Sequence, residues 1–230
     1  MSGSMQNIYK WIVLLSGSAA MVAAIGLLLM KPADAVNPPS LPDPRQNIEE
    51  KAKGKQTAVF AGGCFWGVEA VFRHTQGVLS AVSGYAGGST ANPTYEQVSS
   101  GATGHAESVQ VIYDPARISY GQLLKIYFSV AHDPTQLNYQ GPDHGTQYRS
   151  AIFTLNDEQT RVARAYIAQL QAARVFEQPI VTQVSPLPVF YPAEDYHQNY
   201  LALHPTQPYI VYNDLPKLEN LRIQFPALYR

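Results

Sequence analysis

Apolar and polar positions follow one another along the chain in patterns that predict an α+β domain from residue 57 onwards. A short apolar run at 57–61 ends at two glycines and indicates a buried strand. Residues 64–74 place apolar side chains at 65, 68, 71 and 72, which is the spacing of a helix. Residues 78–85 and 107–113 then predict two strands, separated by a polar loop with a short helix at 95–99.

Two further helices and a fourth strand complete the pattern. Ser119 is a favourable N-cap for a helix over 120–130, and residues 148–155 predict the next strand. Asn156 begins a helix to about residue 176, with Gln159 as its capping-box partner. This order is that of a ferredoxin-like split βαβ two-layer sandwich. The proline-rich residues 180–230 predict a long irregular C-terminal extension, with a helix near 194–203.

The first 56 residues differ in character from the rest. Residues 11–30 carry no charge and just suffice for a membrane-spanning helix, which predicts an uncleaved anchor. The stretch at 33–35 has the form of a signal-peptide cleavage site, so a removed signal is an alternative, and a buried core helix is a third. Prolines and a charged patch in 36–56 predict an extended linker.

The N-terminal pattern therefore divides the chain into three parts. We expect an anchor or signal peptide over 1–35, a linker over 36–56 and a catalytic domain over 57–230. If residues 11–30 stay attached, the chain contacts a membrane through them. We expect the catalytic domain to lie outside the cytoplasm, in the cell envelope, either anchored or exported.

Composition and charge narrow the classes of function. Apolar residues make up 46% of the chain, enough for a sizeable core. The net charge is −1 and no dense run of Lys or Arg occurs, which argues against a nucleic-acid partner. The histidines show no compact ligand spacing, so we expect no metal, and no motif indicates another cofactor.

Cys64 is the only cysteine of the chain, and its setting between two glycines and a helix suggests chemistry. Free amides and the dipole at a helix N-terminus favour an anion, so we expect a lowered thiol pKa. Phe65 and Trp66 follow directly and should border the sulfur with aromatic surface that suits a small apolar group. A buried, inert cysteine is the alternative, because free cysteines are often buried.

The motifs around Cys64 and further along the chain resemble the peptide methionine sulfoxide reductase A family. They are GGCFWGVE at 62–69, SGYAGG at 83–88, NPTY at 92–95, GHAE at 104–107, HDP at 132–134, GPDHGTQYRS at 141–150 and YPAEDYHQ at 191–198. These stretches are collinear and cover residues 57–215. The resemblance implies an α+β, ferredoxin-like core and an enzyme that reduces methionine-S-sulfoxide in proteins as repair after oxidative damage, with free methionine sulfoxide as a further candidate substrate.

The resemblance also implies roles for individual residues. Cys64 matches the nucleophile, and Glu107 matches the acid that protonates the sulfoxide oxygen. The other matched residues surround the same pocket: the oxygen-binding Tyr95 and Tyr148, the carboxylate Asp143, and the methyl-binding wall of Phe65 and Trp66. By pattern alone, Glu107 could instead be a solvated carboxylate, Asp143 a turn residue and Tyr148 an ordinary strand residue.

One departure from the family concerns the second half of the reaction. Many members carry further cysteines that attack the sulfenic acid formed on the nucleophile, whereas residues 211–230 contain none here. We therefore expect an external thiol to resolve Cys64: a thioredoxin-like protein, a glutaredoxin or a small thiol. The missing cysteine also motivates an alternative function, a membrane-tethered methionine-sulfoxide sensor without turnover, and a Cys–His hydrolase is a weaker one.

Overall fold

The computed structural model describes residues 40–48 and 54–230. Their central sheet lies between helices and loops, and six strands form it in the order β7-β6-β1-β3-β2-β8. A separate two-stranded hairpin pairs β4 with β5. The strands are β1 Gln56–Ala61, β2 Val78–Ala86, β3 Ala106–Tyr113, β4 Tyr139–Gln140, β5 Asp143–His144, β6 Ala151–Thr154, β7 Gln183–Pro186 and β8 Phe190–Pro192.

The helices connect these strands and continue beyond them. They are α1 Phe65–Arg73, α2 Tyr95–Ser99, α3 Tyr120–Ile126, α4 Asp157–Ala172, α5 Tyr200–Leu203 and α6 Leu215–Gln224. A π-helical turn, Tyr127–Ala131, extends α3, and a second one, Ile210–Asp214, precedes α6. Short 3₁₀ turns occur at Thr146–Tyr148 and Asp195–His197.

The predicted α+β class and strand order are confirmed by the sheet. Its four inner strands, β6-β1-β3-β2, are antiparallel neighbours, which is the ferredoxin-like arrangement. The C-terminal extension adds β7 parallel to β6 and β8 antiparallel to β2. The extension is therefore more regular than its proline content suggested, because its short strands complete the two edges of the sheet.

The core forms on both faces of β1, since successive side chains of a strand point to opposite faces. Phe60 stacks on Phe72 of α1 and on Tyr127, with ring centroids 5.1 and 5.0 Å apart. Val59 and Ala61 point the other way, into a smaller apolar cluster that includes Phe153 of β6. Both packings fix the end of β1, from which the chain turns into the candidate site.

The observed helix caps agree in part with those predicted from the sequence. Ser119 and Gln122 form a reciprocal capping box at the start of α3. Asn156 accepts the Gln159 N–H at 2.8 Å, as predicted. The Gln159 side chain accepts from the Leu155 N–H and donates to Thr57 of β1, so it ties α4 to the sheet rather than closing the predicted capping box.

Two further segments differ from the sequence patterns. The predicted strand over 148–155 is shorter, because Tyr148 ends a 3₁₀ turn and β6 begins at Ala151. The predicted helix near 194–203 is divided between the turn at Asp195–His197 and α5, with Asn199 in the left-handed region between them.

Residues 40–48, part of the predicted linker, lie against the domain. Leu41 is buried, and the Pro42 carbonyl accepts from the Tyr166 hydroxyl of α4 at 2.9 Å. Asp43 pairs with Lys125 of α3 at 2.8 Å. We call residues 40–48 the N-terminal strap. The boundaries at residues 35 and 56 stay a prediction, and residues 1–39 with the predicted membrane segment lie outside the described residues.

Candidate active site

Cys64 lies at the tight turn between β1 and α1. Gly63 adopts φ +84°, a left-handed conformation that favours glycine. At Gly62 a Cβ atom would stand 2.8 Å from the ring of His132, so only glycine allows that close approach. Cys64 is the N-cap of α1 and is 8% exposed. The turn thus places the sulfur at the helix N-terminus, as the sequence predicted.

Glu107 lies close to Cys64, and its carboxyl group accepts a hydrogen bond from the first amide of the helix. Its Oε2 atom accepts the Phe65 N–H at 3.0 Å, and the residue is 2% exposed. It is carried by β3, opposite Tyr85 of β2. Burial, with smaller contributions from Asp143 and Asp214, raises the pKa of Glu107 to about 8, against the lowering effect of the Phe65 hydrogen bond. Glu107 is therefore a buried acid that holds its proton at neutral pH, not a solvated carboxylate.

The predicted lowering of the Cys64 pKa is wrong. Burial raises the pKa of this thiol. The charge that Glu107 carries above about pH 8, where the thiol titrates, and the charge of Asp214 raise it further. A hydrogen bond from the Trp66 backbone lowers it, but this effect is smaller. The helix N-terminus loses influence because its first amide is already bonded to Glu107. Desolvation and a carboxyl neighbour thus outweigh the helix dipole here.

Tyr95 and Tyr148 are brought to the same place from distant elements. Tyr95 begins α2 and Tyr148 ends a 3₁₀ turn, and both are half-buried. Burial raises the pKa of each phenol, and Glu107 and Cys64 raise it further. Both hydroxyls therefore stay protonated and remain hydrogen-bond donors next to the acid and the thiol.

Asp143 lies on another side of Cys64. It shares a cavity of about 100 Å³ with Cys64, and its carboxylate accepts a short hydrogen bond from the Tyr209 hydroxyl. Burial and the charges of Cys64 and Asp143 raise the pKa of Tyr209, so this phenol is a donor as well. The cavity is polar at this end and large enough for a few atoms.

The side chains of Phe65 and Trp66 differ in their exposure to solvent. Phe65 is buried and packs on Tyr85, with ring centroids 5.9 Å apart. Trp66 is half-buried and stacks on Tyr200, with centroids 3.8 Å apart and planes 7° from parallel. Its indole N–H donates to Nδ1 of His197 at 3.1 Å. Trp66, two residues after Cys64, therefore keeps part of its ring exposed, while Phe65 belongs to the core.

Several residues of the site were given no role in sulfoxide reduction by the sequence, although His197 was a candidate partner of Cys64 in the hydrolase alternative. They are Tyr209, Asp214 and Lys217 in the C-terminal segment, and His197 and Glu194 inside the YPAEDYHQ motif. Glu194 binds both the Tyr85 hydroxyl and the Tyr95 N–H, at 2.8 and 2.9 Å. For His197 and Glu194 the motif itself was the only signal in the sequence. No local pattern indicated Tyr209, Asp214 or Lys217. Among the described residues, no group of three or more His, Cys, Asp or Glu could hold a metal ion.

Comparison with known proteins assigns the chain to a family. The family model described as peptide methionine sulfoxide reductase matches residues 56–227. The peptide methionine sulfoxide reductase MsrA 2 of Mesorhizobium japonicum is 61% identical over 181 residues, which is 79% of this chain and 93% of the relative. The protein of the same name from Synechocystis sp. is 51% identical over 205 residues, covering 88% and 94%.

Solved structures agree with the sequence relatives. Methionine sulfoxide reductase A of Corynebacterium diphtheriae superimposes with a TM-score of 0.60 at 38% identity, covering 74% of this chain and 86% of that one. Reduced Mxr1 from Saccharomyces cerevisiae gives a TM-score of 0.63 at 35% identity, covering 66% and 87%. The names of the proteins from Mesorhizobium japonicum, Synechocystis sp. and Corynebacterium diphtheriae describe reductases, and nothing in them supports a sensor without turnover.

The predicted location needs a correction. The relatives carry the name of the enzyme without any sign of export or membrane attachment, which contradicts the expected place in the cell envelope. Within residues 40–48 and 54–230, no helix is both long and apolar enough to cross a membrane. The expectation of an anchored or exported catalytic domain is therefore wrong, and the residues on which it rested, 11–30, lie outside the described part.

The fold, the cysteine at its helix N-terminus and the extent of the similarity agree with one another. The chain belongs to the peptide methionine sulfoxide reductase family, and it is an oxidoreductase of the MsrA type that serves in protein repair.

Proposed function

We propose that this enzyme reduces methionine-S-sulfoxide in proteins through direct attack of Cys64 on the sulfoxide sulfur. The observation that carries the proposal is a buried, protonated acid bound to the amide that follows Cys64. Glu107 binds the amide next to Cys64 and has its pKa raised to about 8. A nucleophile and a proton donor thus share one water-poor site.

The reaction needs both groups at once. As the sulfur of Cys64 bonds to the sulfoxide sulfur, charge develops on the sulfoxide oxygen, which must receive protons. Glu107 donates one, and the hydroxyls of Tyr95 and Tyr148 bind the oxygen as it takes up charge. The oxygen then moves to Cys64: the substrate S–O bond and the transient bond between the two sulfurs break, and the methionine thioether is released. Cys64 is left as a sulfenic acid whose hydrogen comes from Glu107, and Glu107 takes up the thiol proton of Cys64 in return. Cys64 is oxidised by two electrons, and the sulfoxide is reduced by two.

Aromatic side chains account for the choice of substrate. Trp66, two residues after Cys64, presents a half-buried ring held by Tyr200 and His197. A sulfoxide methyl group packs on such a surface, while the oxygen turns to the acid and phenols. Asp143, fixed by Tyr209, borders the cavity that contains Cys64 and orients the polar part of the substrate. Preference for the S epimer follows the family.

Recovery of the enzyme requires a second molecule. With one cysteine in the chain, no internal disulfide can form. An external thiolate attacks the Cys64 sulfenic acid and gives a mixed disulfide plus water, and a second thiol then releases Cys64 as a thiol. A thioredoxin-like protein, a glutaredoxin or a small thiol has the required chemistry.

A stereochemical rate measurement tests the proposal. Peptides that contain the S or the R epimer of methionine sulfoxide are mixed with excess enzyme, and methionine is quantified by rapid quench. We expect methionine from the S epimer alone, and none from it with Cys64→Ser. Methionine formation by Cys64→Ser at the rate of the native enzyme would refute the role of Cys64.

A further inference from the structure

A buried ion pair lies next to the active site in the C-terminal segment. Asp214 ends the second π-helical turn and is fully buried, and Lys217 lies in the first turn of α6. Lys217 Nζ donates to Asp214 Oδ1 at 3.1 Å, and the lysine side chain is only 16% exposed. Asp214 Oδ2 is buried and has no hydrogen-bond partner among the residues that the structure describes. Burying two charges costs desolvation free energy, so a pair kept at this position is a candidate for a functional role.

Gly67 lets this pair approach the helix that begins at Cys64. Gly67 lies in the first turn of α1, three residues after the cysteine. A Cβ atom at this position would collide with the Asp214 carboxylate and stand 2.7 Å from Lys217 Nζ. The absence of a side chain at Gly67 thus sets how near the ion pair lies to the N-terminus of α1.

Lys217 also belongs to the wall of the cavity that contains Cys64. Of the described residues that line this cavity, Lys217 alone carries a positive charge. Lys217 and Gln140 line in addition a neighbouring groove of about 620 Å³, so the ammonium lies between the two spaces. The lysine is therefore placed where its charge acts on the cysteine.

The other groups around the sulfur carry negative charge or none. The carboxyl groups come from three elements: Glu107 from β3, Asp143 from β5 and Asp214 from the π-helical turn. The phenols are Tyr95, Tyr148 and Tyr209, and His132 packs behind Gly62 with its pKa lowered to about 3 by burial, so it is neutral. Burial, Glu107 and Asp214 raise the pKa of the Cys64 thiol, and Lys217 lowers it.

We propose that Lys217, held in place by Asp214, is a positioning residue for the nucleophile, whose ammonium offsets the negative charge around the Cys64 sulfur as the thiol ionises. The inference rests on the proposed role of Cys64. Ionisation gives Cys64 a negative charge in a site with acidic neighbours, and Coulomb attraction to one ammonium favours that form. If Lys217 lost its charge, the Asp214 carboxylate would stand uncompensated beside the sulfur, and both changes would disfavour the thiolate.

Alkylation of the single cysteine measures the thiolate without any sulfoxide. The rate of iodoacetamide modification is followed by intact mass from pH 6 to 10, since only the thiolate reacts. Lys217→Gln removes the charge and keeps a donor for Asp214, and Lys217→Met is a second neutral variant. Lys217→Arg keeps the charge. Lys125→Gln is the matched control, because Lys125 is 15% exposed and pairs with Asp43 at 2.8 Å on the distant α3.

The two neutral variants should react about tenfold more slowly at pH 8, which corresponds to about one unit of thiol pKa. Lys217→Arg and Lys125→Gln should follow the native profile. The rate of methionine formation should fall in parallel in the neutral variants, while the half-saturating sulfoxide concentration stays unchanged. A purely structural lysine would not produce this combination.

The outcomes separate this inference from the proposed function. If Lys217→Gln and Lys217→Met unfold at the native temperature and keep the native alkylation profile, the role of Lys217 is refuted while Cys64 remains the nucleophile. If Cys64→Ser still forms methionine, the proposed function fails, whatever the alkylation profiles show.

Discussion

Replacing Glu107 with glutamine should remove activity and, at neutral pH, stabilise the protein. Glutamine has nearly the same shape as a protonated glutamic acid and can accept the Phe65 N–H as Glu107 does. It has no proton to give to the sulfoxide oxygen. We expect methionine formation to fall by about 100- to 10,000-fold, the usual contribution of a general acid. Binding of the sulfoxide peptide should persist.

The stability change follows from the pKa of Glu107. Burial raises this pKa from 4.5 to about 8 in the folded chain. Between pH 4.5 and 8 the folded protein therefore keeps a proton that the unfolded chain releases, and stability falls as the pH rises through this window. At pH 7 the loss is on the order of 3 kcal/mol. Glutamine does not titrate, so Glu107→Gln does not lose stability in this way. Its free energy of unfolding should be higher than that of the native protein by about this amount at pH 7 and equal to it near pH 4.

Urea unfolding across a pH series measures this difference, and single-turnover kinetics measure the rate. In the native enzyme the rate of methionine formation should rise with pH up to about 8, as more Cys64 ionises, and level off above it, because Glu107 then loses its proton as fast as the thiolate gains population. Glu219→Gln is the control, because Glu219 is exposed and pairs with Arg222 on the surface of α6. Parallel stability curves for the native protein and Glu107→Gln, or a native rate in that variant, would refute the assignment.

Three further predictions concern the surroundings of Cys64 and the N-terminal strap. Tyr95→Phe and Tyr148→Phe should each lower the rate of methionine formation by up to about 100-fold, and the double variant should lose more, as measured by single-turnover kinetics. A native rate in the double variant would exclude both phenols from oxygen binding. Gly67→Ala should slow alkylation of Cys64, because the added methyl displaces the Asp214–Lys217 pair, and an unchanged alkylation rate would contradict this. Leu41→Ala should lower the free energy of unfolding by about 2 kcal/mol in urea titration with no change in the rate of methionine formation, and an unchanged stability would show that the strap contributes nothing.

The central sheet could be predicted from the sequence because its signals are local. Strands β1 and β3 appear as an apolar run and an alternating run, and the caps at Ser119 and Asn156 show where two helices begin. The edge strands β7 and β8 could not be found this way. They are three or four residues long, contain proline and owe their regular structure to pairing with β6 and β2.

The chemistry of the site was predictable only in part for a similar reason. The position of Cys64 at a helix N-terminus follows from the adjacent residues and was confirmed. The direction of its pKa was predicted incorrectly, because burial and the approach of Glu107, 43 positions further along, are tertiary effects. Asp214 and Lys217 lie farther still and carry no pattern that marks them as part of the site. Their proximity becomes visible only where α6 packs against α1 at Gly67.

The oxygen balance of a single turnover shows whether Cys64 itself takes up the sulfoxide oxygen. The native protein is mixed with an S-sulfoxide peptide in the absence of any thiol, and both the released methionine peptide and the intact mass of the protein are measured. We expect one methionine per chain and a gain of one oxygen atom on Cys64, which added thiol then removes. Repeated turnover without thiol, or methionine formation with no added oxygen on the protein, would contradict it.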